Sequence, residues 1–144
     1  MKRKLLATLL LSLATQFTTG NAWGASDVLD AKTVKQQSLS MPIANREVAK
    51  AVGYEIKNIK VASLAHRITI TVIDITLNND DSKDRESEAT QMASALETVI
   101  SGKAEFSGVM IIHVDYVKPS NHKKAIKSYE FNKTPAGAFV IHKS

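Results

Sequence analysis

The stretch Gly108-Val-Met-Ile-Ile-His-Val-Asp-Tyr-Val117 is the most strongly strand-like run in the chain. Its β-branched and aromatic side chains fit a pleated sheet better than a helix. We predict a strand over residues 106–118, ended by Pro119, which offers no N–H for strand pairing. Alternating side chains place His113 and Asp115 on one face of this strand. The same face is predicted to carry Val109, Ile111 and Val117.

A helix and further strands are predicted on either side of this strand. Residues 83–101 place apolar side chains at every third or fourth position, which predicts a long amphipathic helix ended by Gly102. The acids at its start are predicted to act as caps: Asp84, Glu86 and Glu88. After the first strand, residues 124–132 alternate and predict a hairpin partner, and residues 138–142 predict a short last strand. Alternation predicts Ala125, Tyr129 and Phe131 on one face and Ile126, Ser128 and Glu130 on the other.

The run from Arg67 to Leu77 predicts a second confident strand, because it is dense in β-branched residues. One predicted face carries Ile68, Ile70, Val72 and Asp74, and the other carries Thr69, Thr71, Ile73, Ile75 and Leu77. Since both faces contain apolar side chains, we expect a central strand that is covered on both sides.

The N-terminal part is predicted to hold a leader and a helix. Asn45 is a suitable N-cap, and Val48, Val52, Ile56 and Ile59 follow it at helical spacing. The second half of that segment also suits an extended chain, because Gly53 weakens the helix. Residues 23–44 are predicted as a flexible leader, since a residue before proline, here Met41, disfavours helix. A short helix over residues 28–36 is the alternative.

The order helix, strand, helix, strand, strand predicts a single α+β domain over residues 45–144. A strand-helix-strand unit makes its two strands parallel, whereas a hairpin makes neighbours antiparallel, so the sheet is mixed. We predict three to four strands, with the helix of about residues 83–101 packed on one sheet face and a shorter N-terminal helix beside it.

Residues 1–22 have the pattern of a secretory signal peptide. Met1-Lys-Arg-Lys4 is basic, residues 5–17 are mainly apolar, and Gly20-Asn-Ala22 offers small residues for cleavage. The apolar part is shorter than the roughly twenty residues that span a bilayer, which favours cleavage over an uncleaved anchor. Cleavage after Ala22 is preferred to cleavage after Ala25. The latter would put the bulky Trp23 three positions before the cut, where large side chains fit poorly. We therefore expect export to the periplasm or the extracellular space, with no transmembrane anchor afterwards.

The net charge and the absence of cysteine reduce the classes of partner and anchor that are expected. Of the 19 basic residues, Lys2, Arg3 and Lys4 lie in the predicted signal peptide and none of the 14 acidic residues does, which leaves a net charge of about +2. This small charge and the exported address disfavour a nucleic-acid partner. The chain has no cysteine, which excludes a lipoprotein anchor and a disulfide framework.

His113 and Asp115 are the sharpest candidate catalytic residues, with His142 as a third. A carboxylate beside an imidazole fixes its tautomer and raises its basicity, as general-base catalysis requires. Four histidines without zinc spacing predict no metal site, and residues 80–91 fail the calcium-loop pattern at Arg85 and Gln91. No nucleotide-binding glycine motif is present, so no cofactor is predicted.

A local basic patch surrounds the predicted hairpin and is the candidate binding surface: Lys118, His122, Lys123, Lys124 and Lys127, with Tyr129 nearby. Such a patch attracts anionic surfaces, although lysines also protect sheet edges from aggregation. We therefore favour a non-enzymatic exported binding or accessory protein, whose partners are an envelope protein, a second copy or an anionic envelope polymer. The alternative is a small hydrolase or metal-dependent enzyme that uses His113 and Asp115.

Overall fold

The computed structural model describes residues 29–78, 84–118 and 120–143. The predicted signal peptide, residues 23–28 of the predicted leader, residues 79–83, Pro119 and Ser144 lie outside these residues. In chain order the elements are α1 (Ala31–Val52), β1 (Ile59–Leu64), β2 (Arg67–Val72), α2 (Asp84–Ile100), β3 (Ile111–Lys118), β4 (Asn121–Lys133) and β5 (Phe139–Ile141). Short 3-10 turns lie at Ile56–Asn58, Thr76–Asn78 and Ala104–Phe106.

The five strands form one mixed sheet in the order β1-β2-β3-β4-β5. Strands β2 and β3 are parallel because α2 crosses between them, and every other neighbouring pair is antiparallel. The predicted α+β fold, the mixed sheet and the β3–β4 hairpin are therefore confirmed. The sheet has one strand more than the upper prediction, because the extended part of the predicted N-terminal helix forms β1.

The core lies between one face of the sheet and the two helices. Along β2 and β3 alternate side chains are fully buried, namely Ile68, Ile70, Val72, Ile112, Val114 and Tyr116. From α2, the predicted apolar stripe meets them with Ala89, Met92 and Leu96, each 0 % exposed. The amphipathic helix predicted for residues 83–101 thus packs as expected. The opposite face of the sheet has no described element over it.

The N-terminal helix is longer than predicted. It begins at Ala31, where Asp30 caps it by accepting a hydrogen bond from the Thr33 N–H at 2.9 Å, and it contains Pro42. The leader prediction is therefore wrong for residues 31–44, and α1, with 22 residues, exceeds α2, with 17. Proline removes one helical hydrogen bond. Tertiary contacts outweigh that loss, because Gln37 bonds both the Glu105 carbonyl and Ser63.

The second strand is shorter than predicted and is covered on one side only. It ends at Val72, where the buried Asn78 amide donates to the carbonyls of Val72 and Val117 and so bridges the ends of β2 and β3. Asp74 turns the chain with a φ of 53°. Ile73, Ile75 and Leu77 consequently lie beyond the strand, and its second face consists of Arg67, Thr69 and Thr71. The prediction of cover on both sides is wrong, because that face is polar.

Two further findings concern boundaries and membranes. Strand β3 begins at Ile111 rather than near Phe106, because residues 104–106 form a 3-10 turn that buries Phe106. In the described part of the chain, neither α1 nor α2 is long and apolar enough to cross a membrane.

Candidate functional site

His113 and Asp115 lie on the uncovered face of the sheet, as their spacing predicts. Their neighbours in β3 point to the helices and are buried, whereas both side chains are half-buried. Ile111 shares their face. Val109 precedes the strand and is fully buried, and Val117 is 3 % exposed beside a register shift, so neither belongs to this open surface.

His113 pairs with a residue that the sequence did not single out. Its Nε2 lies 2.8 Å from Oε2 of Glu130, its register partner on β4. The hydrogen bond to His113 lowers the pKa of Glu130, and partial burial opposes this effect. Glu130 is therefore the carboxylate that orients the imidazole. The predicted pairing of His113 with Asp115 is wrong for a geometric reason: side chains two apart on a strand are separated by about 6.6 Å, but direct cross-strand partners by about 5 Å.

Asp115 belongs to a separate pair. Ser128 Oγ, again from the register partner on β4, donates a hydrogen bond to Asp115 Oδ1 at 2.6 Å. Thr69 and Thr71 are the register partners of His113 and Asp115 on the other side, in β2. The centre of the face is thus a polar grid of threonine, histidine, serine and carboxylate side chains. Only the strand pairing, which one sequence does not specify, could have revealed Ser128 and Glu130.

His142 lies beside this grid. Its backbone N–H donates to the Glu130 carbonyl at 2.7 Å, which extends the β4–β5 pairing by one residue. The side chain of His142 is exposed, and its charge contributes a small part of the lowered pKa of Glu130. The structure therefore brings two of the three predicted catalytic residues, His113 and His142, near one carboxylate.

The grid is not enclosed. Depressions of about 610 Å³ each lie at other places, one between the end of α2 and the β4–β5 turn and one between α1 and β1. Neither is lined by His113 or Asp115. A third depression, of about 580 Å³, is lined by Ser128, Glu130 and His142 but again not by His113 or Asp115. Across residues 29–78, 84–118 and 120–143, no three His, Asp or Glu side chains gather closely enough to hold a metal ion.

The predicted binding residues come together at the β3–β4 hairpin, and we call Lys118, His122, Lys123, Lys124, Lys127 and Tyr129 the basic hairpin. Lys118 ends β3 and the other residues lie on β4. The lysines are exposed, and Lys127 Nζ lies 5.7 Å from the centre of the Tyr129 ring. A register shift at Val117 breaks the predicted alternation of β4, so Ile126 packs against the core instead of facing outward with Ser128.

The charge of the basic hairpin is largely uncompensated. His122 Nε2 lies 3.4 Å from Asp74 Oδ1, which is a loose and exposed contact. None of the four lysines forms an ion pair with a carboxylate of the described residues. By contrast, Lys57 and Lys143 elsewhere on the surface do pair with glutamates. The hairpin is therefore a local source of positive potential.

The sequence did not indicate a partly buried polar network around Glu88. Glu88, predicted as a helix cap, accepts hydrogen bonds from the hydroxyls of Tyr54 and Tyr116, the latter at 2.8 Å. Arg85 extends the network, because its Nε donates to the Leu77 carbonyl and its guanidinium lies 6.0 Å from the Tyr116 ring centre. Burial and the nearby Glu88 raise the pKa of both tyrosines. This network joins α2 to β3 and to the chain after α1, which is a structural role.

Comparisons with known proteins add no assignment to this geometry. No protein-family model matches the chain, and neither a curated protein nor a solved structure is significantly similar to it.

Proposed function

We propose that this chain is an exported, non-enzymatic binding module that holds an anionic polymer of the cell envelope through the basic hairpin. Export rests on the signal-peptide pattern of residues 1–22. The observation that carries the binding role is the set of four exposed lysines that pair with no described carboxylate. Because the predicted mature chain has a net charge of only about +2, this potential is a property of the hairpin and not of the whole surface.

The geometry of the hairpin also supports a polymer ligand. Strand β5 and His142 pair with residues 130–133 of β4, so the outer edge of β4 over residues 121–129 has no described strand beside it. Lysines spaced along an open strand present charge over a length rather than at a point. Tyr129 adds an aromatic surface beside Lys127. A linear anion with repeated charges fits such a strip better than a small ligand, which prefers a concave site.

Catalysis is the second candidate, and the 2.8 Å contact between His113 and Glu130 favours it. A carboxylate that orients an imidazole is a recurring catalytic arrangement. Binding is favoured instead because His113 lines none of the depressions described above, although Glu130 lines one of them. Replacement of His113 by Ala tests the enzymatic alternative, because any hydrolytic activity found for the protein should then disappear.

The proposed function is tested by titration calorimetry with dextran sulfate as the probe and neutral dextran as its uncharged control. The hairpin variant carries Lys123→Gln, Lys124→Gln and Lys127→Gln. The matched control variant carries Lys32→Gln, Lys35→Gln and Lys50→Gln, which remove the same charge from exposed positions of α1. At roughly 1 kcal/mol per lysine near an anionic surface, the hairpin variant should bind about a hundredfold more weakly.

Two outcomes of this titration would contradict the proposal. Equal weakening in both variants would mean that only the net charge matters. Unchanged binding in the hairpin variant, together with new self-association, would mean that the lysines merely protect the open edge of β4.

A further inference from the structure

The uncovered sheet face carries side-chain rows that run across all the strands. Register pairs link Leu64, Arg67, Ile111, Asn132 and Val140 from β1 to β5 in one row. Its outer members are strongly exposed, Leu64 at 70 % and Val140 at 51 %. The next row contains Ala62, Thr69, His113, Glu130 and His142, and the third, which ends at β4, contains Lys60, Thr71, Asp115 and Ser128. The first row, which we call the apolar border row, thus ends in exposed apolar side chains at both corners, whereas the other two rows are mainly polar.

The charges on this face are segregated by strand. Its cations, Lys60 and Arg67, lie on β1 and β2, whereas its carboxylates, Asp115 and Glu130, lie on β3 and β4. One half of the face is thus basic and the other half is acidic. When a second copy is rotated by 180° about an axis parallel to the strands, its face meets the first face with opposite charges opposed, so the surface is complementary to itself.

We infer that the uncovered face is the contact surface for a second copy of this chain. A two-fold axis that lies between the two faces and runs along the strands puts β1 and β2 of one copy over β3 and β4 of the other. Lys60 and Arg67 of each copy then face Asp115 and Glu130 of its partner. The apolar border row meets its own symmetry mate, which removes Leu64 from water.

The edges of the sheet are less suited to self-association than this face. Asn45 Oδ1 accepts the outward N–H of Val61 at 3.0 Å, and Gln37 bonds the Ser63 hydroxyl, so α1 covers the edge strand β1. At the other side of the sheet, the open part of β4 carries the lysines of the basic hairpin, which repel a second copy. The face carries charges of both signs together with two exposed apolar side chains, Leu64 and Val140.

The area of the face determines how stable the inferred dimer is expected to be. The four overlapping strands, β1 to β4, spaced about 4.8 Å apart, and three rows spaced about 6.6 Å apart give a footprint of about 400 Å² per copy, or about 800 Å² in total. Stable dimers bury about 1,200–2,000 Å². The dimer is therefore weak, reversible and sensitive to salt. It also goes beyond the proposed function, because the basic hairpin is not part of this face.

Complementary charge reversal tests the inference. One variant carries Lys60→Glu and Arg67→Glu, and the other carries Asp115→Lys and Glu130→Lys. Sedimentation equilibrium at about 10–500 μM and low salt should show dimers of the wild-type protein. Each variant alone should dimerise at least about tenfold more weakly, and an equimolar mixture of the two should recover the association. The K123Q/K124Q/K127Q variant should dimerise like the wild type.

Several results would overturn the inference. A wild-type protein that stays monomeric over this range, dimers that survive both reversals, or a mixture that does not associate would each do so. Because Glu130→Lys breaks the contact with His113, circular dichroism and thermal unfolding must first show that each variant is folded. If the acidic-half reversal does not fold, Asp115→Asn with Glu130→Gln replaces it, and dimerisation weaker than that of the wild type is then required. Loss of dextran sulfate binding leaves this result unaffected, so the two proposals fail separately.

Discussion

Asn45 Oδ1 on α1 accepts the backbone N–H of Val61 on β1 at 3.0 Å, on the side of the strand that faces away from β2. The direction follows from the pairing, because Ile73 N–H donates to the Asn58 carbonyl and alternate residues of an antiparallel strand point the same way. Ile59, Val61 and Ser63 therefore direct their backbone groups outward. The Asn45 amide also donates to the Ile56 carbonyl at 3.3 Å. One side chain thus ties the helix to the edge strand.

Replacement of Asn45 by Ala should lower the free energy of unfolding by about 1–3 kcal/mol, because the half-buried Val61 N–H loses its acceptor. Urea denaturation measures the loss, and hydrogen exchange should show faster exchange of the Val61 amide. Asn121→Ala is the matched control, since Asn121 is exposed and accepts one hydrogen bond from the Lys123 N–H. A variant N45A as stable as N121A would show that Asn45 does not hold the edge.

Tyr116→Phe should destabilise the fold by about 1.5–3 kcal/mol. The change removes a buried hydroxyl that lies 2.8 Å from Glu88 Oε1, and hydrogen bonds to charged groups contribute energies of this size. Tyr129→Phe is the control, because the Tyr129 hydroxyl makes no hydrogen bond with a described residue and should contribute less than about 0.5 kcal/mol. Equal effects in urea denaturation of the two variants would contradict a special role for the Glu88 network.

The same network predicts alkaline instability. Burial, with a smaller contribution from Glu88, raises the pKa of Tyr116 above its ordinary value near 10, so the folded state favours the neutral phenol. The resulting stabilisation is complete below pH 10 and is lost as the pH rises above it, when the unfolded tyrosine ionises first. Urea midpoints measured between about pH 9 and 11 should fall more steeply for the wild type than for Y116F. Parallel curves would contradict this assignment.

Acid should weaken the contact between His113 and Glu130. Because the hydrogen bond to His113 lowers the pKa of Glu130, the folded state binds fewer protons than the unfolded state in the acid range. The stabilisation is present above the ordinary glutamate value of 4.5 and is lost as the pH falls below it. Glu130→Gln should flatten the loss of stability between about pH 5 and 3. Glu47→Gln, at an exposed ion pair on α1, is the control and should leave the curve unchanged.

Elements were predicted correctly where the apolar positions in the sequence are also the positions that face the core. Residues 83–101 match α2 because its stripe faces the core, and the hairpin follows from alternation and a turn. Pro42 misled the prediction of α1, because contacts of Gln37 with Glu105 and Ser63, far away in sequence, hold the helix together. The end of β2 was missed for a similar reason, since Asn78 reaches across to Val117.

The candidate site was predicted only in part. His113, Asp115 and the lysines of the basic hairpin follow from spacing along one strand or one turn. Ser128 and Glu130 depend on the register between strands β3 and β4, and the register shifts beside Val117 change the pairing that the turn and the alternation would set. Its position at the start of a helix predicted a capping role for Glu88. The contacts with Tyr54 and Tyr116 could not be predicted, because both tyrosines are distant from Glu88 in sequence.

The most direct test of the proposed function is the salt dependence of dextran sulfate binding. Each lysine that contacts a polyanion releases counterions, so the logarithm of the binding constant falls with the logarithm of salt concentration by close to one unit per contact. The K123Q/K124Q/K127Q variant should show a slope shallower than that of the wild type by about two to three, and the K32Q/K35Q/K50Q variant should keep the wild-type slope. Identical slopes for all three proteins would contradict the claim that the basic hairpin holds the polymer.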